Sequence, residues 1–77
     1  MIGNNDKETK IGINIKKARE TAGLSQKQLS AKLQVLGCDI SRGTLAKIEV
    51  GIRCLKTSEI KAFIFALKID YDFLLDV

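Results

Sequence analysis

The stretch LSQKQLSAKLQVLGCDISRGTLAKIEVG, residues 24–51, decides the fold. Its opening, Ser25-Gln26-Lys27-Gln28, is a capping box. The Ser25 hydroxyl can accept from the Gln28 amide, and the Gln28 side chain can reach back to the Ser25 amide. Leu24 and Leu29 stand at the two positions of a hydrophobic staple. Leu29, Leu33 and Leu36 continue one helical stripe, and Gly37 ends it. A second helix start follows at once. Ser41 is its N-cap, and Ile40 and Leu45 form a second staple. Thr44 stands where a full capping box needs Glu or Gln, so this box is incomplete. Leu45 and Ile48 face inward, and Gly51 closes the helix. The stretch therefore reads as two amphipathic helices joined by a turn, the second running over residues 41–50.

The flanks extend the same pattern. Ile11, Ile15, Ala18 and Ala22 share one helical face, which predicts a first helix from Ile11 to Ala22. Gly23 suits a left-handed position after it. The segment KIGINIK also alternates like a strand, but the continuation NIKKARETAG has helical spacing. A fourth helix begins at Lys56 or Thr57. Leu55 and Ile60 staple it if Lys56 is the cap, although Thr57 is the better cap chemically. Ile60, Phe63, Ile64 and Leu67 form its apolar face. Asp70 then caps a short fifth helix, Tyr71 to Leu75. The expectation is an all-α domain of five helices over residues 11–77, preceded by a flexible tail over 1–10. Each helix is too short to hold alone, so packing must hold them together.

Composition narrows the function. The 77 residues make one small domain, rich in Leu, Ile and Val. The net charge is +4, unevenly spread. Residues 1–10 balance, residues 11–56 hold nine Lys or Arg against three Asp or Glu, and residues 57–77 hold two against four. The basic centre suits a polyanion, though solvated helix faces produce the same count. There is no histidine, and the two cysteines, Cys38 and Cys54, do not form a CxxC pair. No metal site and no cofactor are expected, and the thiols read as reduced small hydrophobes. Without histidine or a nucleotide-binding glycine motif, an enzyme is not expected. The N-terminus carries no apolar signal region, and no run spans a membrane, so a cytoplasmic protein is the default.

The second helix of the pair presents Arg42, Thr44 and Lys47 outward, with Glu49 near its end. A helix fits the major groove, where base edges show a distinct donor and acceptor pattern. ARETAGLSQKQLSAKL, then ISRGTLAKIEVGIR, then FALKIDYDFLL resemble the Cro/repressor-type helix-turn-helix domain, also called the xenobiotic-response-element type. The resemblance covers residues 11–75. It implies a five-helix repressor-like domain that binds double-stranded DNA, as a homodimer on palindromic operators. Position by position, it implies that Gln26 touches the DNA backbone and buttresses the recognition helix. Ser41 and Thr44 would contact phosphate. Arg42, Gly43 and Lys47 fall where bases are read, and Arg53 and Lys56 would meet the next phosphates. Arg19 and Glu49 match a buried ion pair; by themselves they also read as two unrelated surface charges. Arg42 suits guanine, since its fork can donate to O6 and N7 together.

Three features depart from the family pattern. The connection QVLGCDI is about five residues longer than the commonest form, so helix 2 should run a turn further and residues 37–40 make a longer turn. Lys68 stands where a glycine is common after helix 4. Gly43 leaves a gap in the presenting face, either to let the backbone approach the groove or because that base pair is unread. Phe65 lies off the apolar stripe of helix 4. It is an aromatic at the core's edge or, with Phe73, part of a protein-contact surface. That second reading describes an antitoxin-like or adaptor module on the same fold.

Overall fold

Both halves of the capping box are made. In the computed structural model the Gln28 amide donates to Ser25 Oγ at 3.0 Å, and the Ser25 amide donates to Gln28 Oε1 at 2.8 Å. The structure describes residues 6–75. They form α1 (Asp6–Thr21), α2 (Gln26–Val35), α3 (Arg42–Glu49), α4 (Thr57–Leu67) and α5 (Tyr71–Leu74), with no strand among the described residues. The fold is the all-α, five-helix arrangement.

One boundary needs correction. α1 begins at Asp6, not at Ile11, so residues 6–10 of the expected tail are helical; residues 1–5 lie outside the described part. Lys7 to Lys10 contain no Gly or Pro to stop the helix, and the added turn has something to pack on. At Gly51, after α3, a Cβ would sit 2.6 Å from Thr9 Oγ1 and 2.9 Å from its Cα. KIGINIK is helical throughout. Ile15 is fully buried while Ile13 is exposed, the opposite of what strand alternation requires. Gly12, also buried, lets α1 cross α3 closely. A Cβ there would meet the carbonyl oxygens of Ile48 and Glu49, the latter at 2.6 Å.

Most of the core comes from the stripes, joined by Ile40 of the long turn and Leu74 of α5, whereas Ala22, expected on the inward face of the first helix, is exposed just past the end of α1. Ile15, Leu29, Leu33, Ile40, Leu45, Ile48, Phe63 and Leu74 are the fully buried side chains. Each contributes roughly 1.5–3 kcal/mol of apolar burial. Leu36 departs from its stripe: it is 41% exposed, because α2 ends at Val35 and Leu36 is already the C-cap.

The long turn is built rather than slack. Gly37 takes φ 83°, its amide donates to the Gln34 carbonyl, and the Cys38 amide donates to the Leu33 carbonyl at 2.8 Å. This is a Schellman closure. Ser30 Oγ, buried on α2, donates to the Ile40 carbonyl at 2.6 Å. Cys38 and Ile40 drop into the core, and Asp39 between them stays outside. Burial pushes the Cys38 thiol pKa up, which keeps it an inert apolar group.

α4 takes the weaker cap. Lys56 occupies the N-cap position and Thr57 is the first helical residue. A lysine side chain has no acceptor, so only the return half of a box is made, Lys56 amide to Glu59 Oε1 at 2.9 Å. α4 ends at Lys68 with φ 56°, ψ 44°, the one described non-glycine residue at positive φ. A side chain in that conformation costs about 1–2 kcal/mol. Asp70 caps α5 by accepting from the Phe73 amide at 2.8 Å, and Asn14 of α1 donates to the Leu74 carbonyl at 3.1 Å.

Candidate nucleic-acid interface

α3 has one face fixed and one face free. Leu45, Ile48 and Glu49 are buried, whereas Arg42, Gly43 and Lys47 are exposed. Ser41 starts the helix: its Oγ accepts from the Thr44 amide at 3.2 Å and donates to Thr44 Oγ1 at 3.1 Å. Gly43 and Lys47 stand four apart on one exposed row. A Cβ at Gly43 would meet nothing within 4 Å, so no packing inside the chain requires the glycine.

The fixed face is anchored by charge. Arg19 Nε donates to Glu49 Oε2 at 2.7 Å and Arg19 Nη2 to Glu49 Oε1 at 3.2 Å. The two side chains are 11% and 2% exposed. Arg19 Nη1 also donates to the Leu24 carbonyl at 2.9 Å. The hydrogen bonds to Glu49 raise the Arg19 pKa further above its usual value. Losing one partner of such a buried pair typically costs about 3–5 kcal/mol. Gln26 joins the same cluster, its Nε2 donating to Glu49 Oε1 at 3.0 Å. The end of α1, the start of α2 and the end of α3 are thus tied at one carboxylate. This fixes the direction in which α3 presents Arg42 and Lys47.

Gln26, Lys27 and Arg42 line one shallow depression between the starts of α2 and α3. Lys27 is a cation that the sequence reading left out of the site. It is exposed and stands beside Arg42 only in three dimensions.

Arg53 is held differently from its neighbours. Its Nη1 and Nη2 donate to Glu59 Oε1 and Oε2 at 2.9 and 2.8 Å, and Nη1 also donates to the Cys54 carbonyl at 2.8 Å. This fork-to-fork pair joins the loop after α3 to the first turn of α4. Bonding to Arg53 holds the Glu59 carboxyl below its usual range. Lys56 is exposed at the cap of α4 and lines the same depression as Arg53, beside Asp39 of the long turn. Nothing in the sequence spacing of Glu59 marks it as the partner of a residue in the preceding loop.

Two capped helices joined by a turn, with the second exposing a polar and basic row over a buried apolar one, define a helix-turn-helix protein. A family model, Helix-turn-helix, matches residues 15–74. The chain belongs to this family, in its Cro/repressor type. It is a family of DNA-binding transcriptional regulators, not of enzymes, and DNA-binding regulation is the general function of this chain. No curated protein and no solved structure gives a significant match to the chain. No helix among the described residues is long and apolar enough to cross a membrane.

Proposed function

We propose that the chain is a sequence-specific repressor, acting in the cytoplasm as a homodimer on double-stranded DNA. The observation that carries this reading is the two-sided α3. One side is locked through Glu49 to Arg19 and Gln26, and the other offers Arg42, Gly43 and Lys47 to solvent. In this reading residues 41–50 lie in the major groove, with Arg42 and Lys47 against base edges. Ser41 and Thr44 meet phosphate on one side, and Lys56 on the other. Gln26 buttresses α3 and touches the backbone, with Lys27 beside it. Arg53 acts first by holding the loop against α4, since Glu59 offsets its charge. Occupying an operator excludes other proteins from it, which makes repression the sign we propose.

The test is selection of bound sites from a random duplex pool. The expected product is a palindrome whose half-sites lie one helical turn apart, roughly 34–36 Å. Arg42→Ala should then cost about 1–3 kcal/mol and relax one position of each half-site. Equal affinity for all duplexes at physiological salt would sink the reading.

The exposed Phe65 and Phe73 favour a second reading, a protein-interaction or antitoxin-like module on the same fold. One stoichiometric protein partner with no DNA shift would select it.

A further inference from the structure

The C-terminal half of α2 and the C-terminal half of α4 leave a groove between them that the DNA-facing surface does not use. Val35 is 86% exposed and Phe65 70%, and Leu36 and Ile64 line the floor with Ala66. The groove holds about 470 Å³, within the range of sites that take apolar groups. Its charged lining is of one sign: Lys32 from α2 and Lys68 from the end of α4, with no carboxylate among the lining residues. Lys61, exposed on α4 outside the lining itself, precedes Phe65 by one turn of the same helix.

Lys68 supplies a second, independent observation. It is held at φ 56°, a conformation that glycine adopts at far lower cost. The fold keeps a lysine at a strained position, and Lys68 is one of the residues that line the groove. Strained backbone of this kind clusters at functional sites.

We infer that this groove docks an acidic amphipathic helix of another protein, with apolar side chains against Val35, Leu36 and Phe65 and carboxylates toward Lys32, Lys61 and Lys68. An amphipathic helix laid in a groove is a recurring mode of recognition, and the single sign of the rim selects an acidic one. The groove lies at the opposite end of α2 from Gln26. Val35 stands nine positions after Gln26, about 13 Å along the helix axis, so docking leaves the α3 face open.

The probe is a dye-labelled amphipathic peptide of Leu and Glu, about four helical turns long, titrated with the full chain by fluorescence anisotropy. Its counterpart with Lys in place of Glu is the control. The acidic peptide should bind saturably at one per chain, and the basic one at least about tenfold more weakly. Phe65→Ser, which changes no charge and removes an exposed ring, should weaken the acidic peptide by about tenfold with the melting curve unchanged. Lys68→Gly should weaken it several-fold while the protein melts at the same or a higher temperature, a combination that a purely structural lysine does not produce. Absence of saturable binding, or binding indifferent to Phe65→Ser, overturns the inference. So does a concentration-dependent dimer that Phe65→Ser dissolves, which gives the groove to a second copy. A loss of DNA affinity in Phe65→Ser would instead give it to nucleic acid.

Discussion

At the scale of single residues, Gly12 and Gly43 receive the same substitution with opposite outcomes. A methyl group at Gly43 projects into open space, and the residue lies in the first turn of α3. Gly43→Ala should raise stability by up to about 0.5–1 kcal/mol. Gly12 lies inside α1, where a methyl group collides with the carbonyl oxygens of Ile48 and Glu49. Backbone atoms cannot swing aside, so Gly12→Ala should lower stability by about 1–3 kcal/mol. Chemical denaturation of both variants checks the two signs. DNA binding by Gly43→Ala then separates the two uses of the gap. A more stable protein that loses affinity needs the backbone close to the groove, and one with full affinity leaves that base pair unread. The sequence shows both glycines inside helical patterns and does not distinguish them. Which one touches a neighbouring helix depends on how α1 crosses α3.

At the scale of elements, the caps and stripes are the part of the fold that sequence carries. Ser25, Ser41 and Asp70 cap helices by bonding three residues ahead, and such bonds need only local spacing. The long turn was readable for the same reason, from Gly37 and the apolar Ile40. The start of α1 was not, because its first turn lies against Gly51 across the chain, and local spacing does not carry such a contact. The Gln26–Glu49 contact, 23 residues apart, and the choice of Glu59 by Arg53 escape periodicity likewise. The Arg53–Glu59 clamp makes a prediction of its own. Glu59 has its folded pKa lowered by Arg53. A carboxyl with a depressed pKa stabilises the fold above its unfolded pKa, about 4.3, and loses that contribution as pH falls through the folded value. Glu59→Gln keeps an oxygen for the Lys56 amide and removes the charge. Its destabilisation should be about 1 kcal/mol at neutral pH, modest because the Arg53 side chain is 29% exposed. The gap between the two melting temperatures should close in acid. A gap that stays constant from neutral pH to pH ~3 would mean that the carboxylate charge contributes nothing.

At the scale of the whole molecule, the basic centre of the chain is smaller than its count of cations. Residues 11–56 hold nine Lys and Arg, but Arg19 is spent on Glu49 and Arg53 on Glu59. Seven remain, among them Arg42, Lys47, Lys27 and Lys56 around the starts of α2, α3 and α4 and the last turn of α3. Lys32 lies apart, in the groove against α4. The affinity for DNA should fall with salt by about 0.9 log units per phosphate neutralised, for each log unit of salt. One protomer using this block is therefore limited to a slope of about 6, and a steeper slope requires cations from a second protomer on the same duplex. Binding isotherms at several salt concentrations, on a selected full site and on a half-site, measure the difference. A homodimer predicts that the full site exceeds the limit of one protomer, or at least nearly doubles the half-site slope. Equal slopes on both duplexes would make the bound species a monomer. A slope near zero on both would remove phosphate contact from this surface altogether.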